Sequence, residues 1–269
     1  MIHLFQMDFF RHAFLMCLLL SVLYGILSFF VVMRRTAFLG VGIAHTAFGG
    51  VALGLIMGIS PFYASLIFCM VAALLMGKLS RQENISYDTS IGIFFSFAMA
   101  LGALLIALRR AYSFDLSGYL FGNILGIARS DLFLVIVTFL LFTPFMFFFF
   151  QKLLFMSFDE TVAKVSGVRT DVLDSFLLLF QALIIVISIK VVGIILVSAL
   201  VVLPASFGLL IANHYRQVIL ISVLYTLVMM VSGLFLSYFI DTPPGATMVV
   251  LAAVVYFFGV GVKRVSKRL

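Results

Sequence analysis

Residues 190–213, KVVGIILVSALVVLPASFGLLIAN, hold one proline and no charge between Lys190 and Asn213. About 20 apolar residues in a helix cross the hydrocarbon core of a bilayer, so this stretch predicts a membrane-spanning helix. Working outward, runs of spanning character fall at 13–33, 41–59, 62–77, 89–108, 132–150, 173–189, 191–212, 218–240 and 245–262. The third is short enough to be a tilted or partial element, which leaves eight or nine crossings. None shows the ten-residue alternation of a membrane barrel. The fold class that follows is all-α: a polytopic helical membrane protein with eight to nine transmembrane helices.

Composition agrees. The chain is 65% hydrophobic and 10% charged, where a water-soluble domain carries about 25% charged residues. The charge-rich stretches are short and read as loops between spans: MRR at 33–35, KLSRQENISYD at 78–88, FDETVAKVSGVRTDVLD at 158–174 and KRVSKRL at 263–269. With no proline- or serine-rich linker, residues 1–269 are expected to form a single membrane domain. The first apolar segment exceeds the 7–15 residues of a signal-peptide core and is expected to stay as a span. Cys17 and Cys69 both lie inside apolar runs, where thiols behave as small hydrophobes, and no disulfide framework is expected.

Lysine and arginine set the direction. With the C-terminus in the cytoplasm, nine alternating spans place twelve basic residues inside, from Arg34 and Arg35 to Arg268, and only Arg11, Arg109, Arg110, Arg129 and Lys190 outside. The net charge of +7 therefore reports topology and contact with anionic membrane lipids. It does not report nucleic acid, which needs a basic soluble face studded with aromatics. Glycines recur every four residues at Gly50-Gly54-Gly58 and Gly118-Gly122-Gly126, a spacing expected to let helices approach closely.

The phosphate loop, the nucleophile elbow, H-E-x-x-H and C-x-x-C are all absent from the sequence, so no ATP hydrolysis and no covalent catalysis is expected. His45 stands a turn into the second run. Lipid offers an imidazole no hydrogen bond, so it must face a partner helix, a cavity or a pathway. A neutral imidazole also suits zinc and its neighbours. In the loop SFDETVAKVSGVRTD, Glu160, Ala163 and Gly167 form E-x-x-A-x-x-x-G, which predicts a short amphipathic helix with acidic residues, Asp159 and Glu160, at its start and a glycine stop. That helix could be a connection or a docking knob. Asp241, in the turn IDTPPG, reads as a solvated turn residue or as an outer contact.

Four segments carry a resemblance: RRTAFLGVGIAHTAFGGVALGL (34–55), SFDETVAKVSGV (157–168), KVVGIILVSALVVLPASFGLL (190–210) and LSYFIDTPPGATMVVLAAVVYF (236–257). They resemble, in order, the permease subunits of bacterial ABC importers for zinc, manganese and iron. The resemblance implies an inner-membrane protein that pairs with a second copy of itself, with a cytoplasmic ATP-binding subunit and with an extracytoplasmic solute-binding protein. It implies a transported divalent metal ion and no permanently bound cofactor. It assigns Asp159, Glu160, Ala163 and Gly167 to ATPase coupling, His45 to the metal, and Asp241 to the binding protein. Members of that family typically read G-D-x-x-x-H at the second span, whereas this chain has Val41 in place of the aspartate and keeps His45. With the carboxylate lost, zinc is favoured over the harder manganese, or else Thr46, Asn123 or Ser198 completes the route. The alternatives are an ABC or secondary transporter for a non-metal or chelated cargo. No acidic residue stands in mid-span to serve a proton relay, which disfavours the secondary transporter.

Overall fold

The structure is a computed structural model and describes residues 7–82, 85–108, 122 and 127–266. Hydrocarbon leaves a backbone no water to bond, so each crossing must satisfy its own N–H and C=O groups as a helix. Among the described residues the helices are α1 (Asp8–Met33), α2 (Ala37–Met57), α3 (Pro61–Gln82), α4 (Tyr87–Leu108), α5 (Arg129–Phe158), α6 (Glu160–Val165), α7 (Thr170–Val192), α8 (Ile194–Ile211), α9 (Tyr215–Ile240) and α10 (Pro244–Ser266). Eight of them are long and apolar enough to cross a membrane, and α8 is a shorter apolar helix beside them. Helices α1, α2 and α7 are the most buried, while α4, α5 and α10 form the periphery. Peripheral side chains such as Phe147, Phe148, Phe257 and Phe258 point outward, as lipid-facing side chains do.

Three sequence expectations change in detail. The third run is no partial element: α3 has 22 residues, because the helix continues through Lys78 and Arg81 instead of stopping at the first charge. The boundary between the runs 173–189 and 191–212 falls three residues later than Lys190, so the stretch 190–213 is not one helix. Gly193 has φ 87° and ψ 159°, a conformation essentially reserved for glycine, so Lys190–Val192 close α7 and α8 starts at Ile194. Among the spaced glycines, Gly50 and Gly54 do face α3: an added Cβ would stand 2.5 Å from the Ser65 Cα and 2.8 Å from the Ala64 Cβ. Gly58 instead ends α2 with a left-handed φ of 69°. Gly118 and Gly126 lie outside the described residues. Gly122 has φ +82° and so is not a helical packing position; it passes against the Val191 backbone carbonyl.

Helix α2 packs most extensively on α3 and α4, and α1 on α9. Successive spans alternate in direction, so the ends of α1, α3 and α5 and the starts of α2, α4 and α7 gather on the face that carries α6. Gly193→Ala forces a Cβ into the glycine-only region at a cost of about 1–3 kcal/mol. It should lower the thermal unfolding midpoint of the detergent-solubilised protein, and an unchanged midpoint would rule out this backbone at the α7–α8 break.

Candidate functional site

From Ala37 to Ala52 helix α2 is covered on nearly every side, and the exception is one stripe; its last turn exposes Ile56 and Met57. Ala37, Phe38, Val41, His45 and Phe48 are half-buried or exposed, whereas Leu39, Gly40, Gly42–Ala44, Thr46 and Ala47 are buried. Spacing of three and four residues returns to the same helix face, so Val41 and His45 are neighbours on the open side. The helix begins at Ala37, earlier than the apolar run suggests, and His45 therefore stands more than two turns in, near the middle of its 21 residues. Its imidazole meets the Phe95 ring of α4 edge-on, with centroids 5.2 Å apart and an interplanar angle of 89°.

The other expected route residues lie differently. The Thr46 hydroxyl is buried and donates to the Gly42 carbonyl at 2.6 Å, on the side of α2 that borders a small apolar cavity with Phe68, Ala72 and Phe94. Ser198 is half-buried on α8, which runs antiparallel to α2 with Val201 against Gly40. Relative to that contact, Ser198 and His45 are displaced toward the same end of the bundle, by about 4.5 and 7.5 Å at 1.5 Å per residue. Asn123 lies outside the described residues. Among the described residues no three His, Cys, Asp or Glu side chains converge as a metal cluster. One copy of the chain thus brings to this face one imidazole nitrogen donor, from His45, and no carboxylate at position 41.

The E-x-x-A-x-x-x-G segment folds as its residues dictate. The Asp159 carboxylate accepts from the Val162 N–H at 2.9 Å and caps α6. Ala163 is fully buried beneath the helix, while Val162 and Val165 are exposed. At the C-terminus the Val168 N–H returns to the Ala163 carbonyl and the Gly167 N–H to the Lys164 carbonyl, 3.0 and 3.1 Å, with Gly167 at φ +85°. This is the paired closure that a glycine at the stop position permits. The result is a six-residue knob anchored by one methyl group and presenting valines outward. Asp241, at the opposite end of the bundle, caps α9 in a left-handed conformation with φ 54° and is exposed.

Two buried carboxylates were not singled out by sequence reasoning. Asp174, in the second turn of α7, is 1% exposed. One of its oxygens is held by Arg34 and the other by Arg81, and the Tyr87 hydroxyl donates to the second at 2.7 Å. Arg34 also reaches Glu160 of α6 at 3.4 Å. Burial works against the charge on Arg34, but Asp174, Tyr87 and Glu160 outweigh it and raise the guanidinium pKa. At the other end of the bundle, Asp131 accepts from the Ala128 N–H at 2.8 Å and from Lys190 at 2.6 Å, with the Lys190 ammonium 4.7 Å above the Phe62 ring. Both carboxylates had a signal: Asp174 falls on the stripe Thr170, Leu173, Leu177, Leu178, Gln181, and Asp131 heads the stripe Val135, Thr138, Phe142, all buried. A charge in register with a core stripe has to be paired inside.

Asp159→Ala removes the cap of α6, a loss of about 1 kcal/mol. Hydrogen exchange at the Val162 and Ala163 amides should accelerate severalfold with the spans unaffected. Unchanged exchange there would show that the cap does not hold the knob.

Residues 6–263 match the ABC 3 transport family. The chain is 32% identical over 254 residues to the manganese transport system membrane protein MntC of Listeria innocua, covering 94% of this chain and 90% of that protein. It is 29% identical over 244 residues to the high-affinity zinc uptake system membrane protein ZnuB of Haemophilus influenzae, covering 91% and 94%. Among solved structures it resembles PsaBC from Streptococcus pneumoniae in complex with Fab, with a TM-score of 0.82, 30% identity, and 95% of this chain and 92% of that chain covered.

Proposed function

The chain belongs to the ABC 3 transport family, and on that premise we propose that it is the membrane subunit of an importer for a divalent transition metal, with zinc as the favoured cargo. Two copies form the route, and the α2 stripes of both face it. The observation that carries this reading is the open stripe itself: over Ala37–Ala52, otherwise buried, the one uncovered face holds His45 near the middle of the spanning helix and an apolar Val41 one helical step away. Two copies bring two imidazoles together and no carboxylate at position 41. Imidazole nitrogen suits zinc, whereas manganese is better served by carboxylate oxygen. Relatives named for manganese and for zinc cover nearly the same length of this chain, so cargo choice rests on these residues and not on the family.

The C-terminus and α6 lie in the cytoplasm in this reading, supported by the excess of lysine and arginine on that face. A separate ATP-binding subunit seats on α6, whose exposed Val162 and Val165 offer it an apolar knob and whose closure at Gly167 fixes the knob's angle. An extracytoplasmic binding protein delivers cargo to the opposite face, where Asp241 is exposed. In reconstituted vesicles carrying the ATPase and binding protein, His45→Ala should cut zinc uptake at least tenfold at equal protein. Val41→Asp should raise manganese uptake relative to zinc. Wild-type transport by His45→Ala would remove the histidine from the route, and an unchanged metal preference in Val41→Asp would remove the selectivity argument.

A further inference from the structure

We infer that Asp174 is the positioning residue through which movement of α6 reaches the two helices that carry the cargo face. This rests on the reading of α6 as the ATPase seat. The knob is tied to the bundle by the buried methyl of Ala163, which packs without direction, by the solvent-exposed ion pair from Lys164 to Asp171 at 3.9 Å, and by the ion pair from Glu160 to Arg34 at 3.4 Å. Only the last leads into the buried interior. Arg34 is the residue between α1 and the turn into α2; Arg81 is in the last turn of α3; Tyr87 is the first residue of α4. All three converge on the Asp174 carboxylate. Helix α2 carries His45 and α4 carries the Phe95 against which it rests.

The charges balance locally, since two arginines meet two carboxylates and the tyrosine contributes only a hydroxyl. The balance is also tight. The Arg34 and Asp174 side chains are 7% and 2% exposed, whereas Glu160 is 47% exposed. Arg34 is therefore shared between a buried carboxylate and a half-exposed one on the docking knob. Drawing Glu160 away leaves Arg34 to Asp174 alone, and pressing it closer pulls Arg34 off. In a site with so little water an arginine cannot exchange its partner for solvent, so either displacement is passed to the ends of α2, α3 and α4. A shared arginine of this kind is a two-position element, which is what coupling between distant faces requires.

The experiment uses the complete transporter in vesicles and reads three quantities: ATPase subunit co-purified per permease, ATP hydrolysis rate, and zinc ions imported per ATP. Tyr87→Phe removes one hydroxyl from the node and leaves every charge in place. It should keep the ATPase stoichiometry and the hydrolysis rate while lowering ions per ATP about threefold. Asp174→Asn should lower that ratio about tenfold. A purely structural role would reduce the amount of folded transporter but not the ratio. If Asp174→Asn does not assemble, Tyr87→Phe decides the matter. Normal ions per ATP in Tyr87→Phe, with the ATPase bound, overturns the inference. A Val165→Glu chain that retains the ATPase and its hydrolysis rate at wild-type levels would instead sink the seat on α6, so the two failures are told apart.

Discussion

Inside a bilayer a charged side chain has no solvent to fall back on, and the architecture of this chain is organised around that constraint. Among the described residues, carboxylates enter the buried interior only near the ends of spans and only with cations already in place: Asp174 between Arg34 and Arg81, Asp131 beneath Lys190. Breaking either set by removing one partner would leave an uncompensated buried charge, typically a loss of about 3–5 kcal/mol. The pairs therefore pin helix ends. Asp174 draws four helix termini together on the face of α6, and Asp131 with Lys190 ties the start of α5 to the end of α7 at the opposite face.

Between these pinned ends the middle of the bundle is held by close packing of small residues. Gly50 and Gly54 bring α2 against the backbone of α3, and in lipid such contact replaces the hydrophobic drive that packs soluble helices. Ends fixed by charge and a middle fixed by van der Waals contact leave one face of α2 uncommitted. That face is where His45 stands.

Most of the architecture was legible because hydropathy and length report directly on a bilayer crossing. The knob was legible residue by residue, since Asp159, Ala163 and Gly167 each have a local physical duty: cap, anchor and left-handed stop. The break between α7 and α8 was legible to within three residues, since the runs 173–189 and 191–212 part at Lys190; its exact place at Gly193 was not, because an apolar run carries no mark where one glycine leaves helical geometry. The length of α3 is hidden for a related reason. Lys78 reads as the end of an apolar run, yet the helix continues through Arg81, whose partner Asp174 comes from another helix. Asp174 itself looked like a loop residue among charged neighbours. Only its register with Thr170, Leu173 and Leu177 marks it as inward, and pairing across 140 positions of sequence to Arg34 leaves no local trace.

The central claim is that the open stripe of α2 lines the cargo route. It is tested most directly by chemistry at position 41, beside His45 but not dependent on it. A Val41→Cys chain, with Cys17 and Cys69 replaced by alanine, is assembled with its ATPase and treated with a small water-soluble thiol reagent in the presence and absence of zinc. The account predicts that the thiol reacts, that zinc slows the reaction severalfold, and that His45→Ala abolishes this protection. A thiol that is inert, or that reacts at the same rate with and without zinc, would place the stripe away from the route and contradict the account.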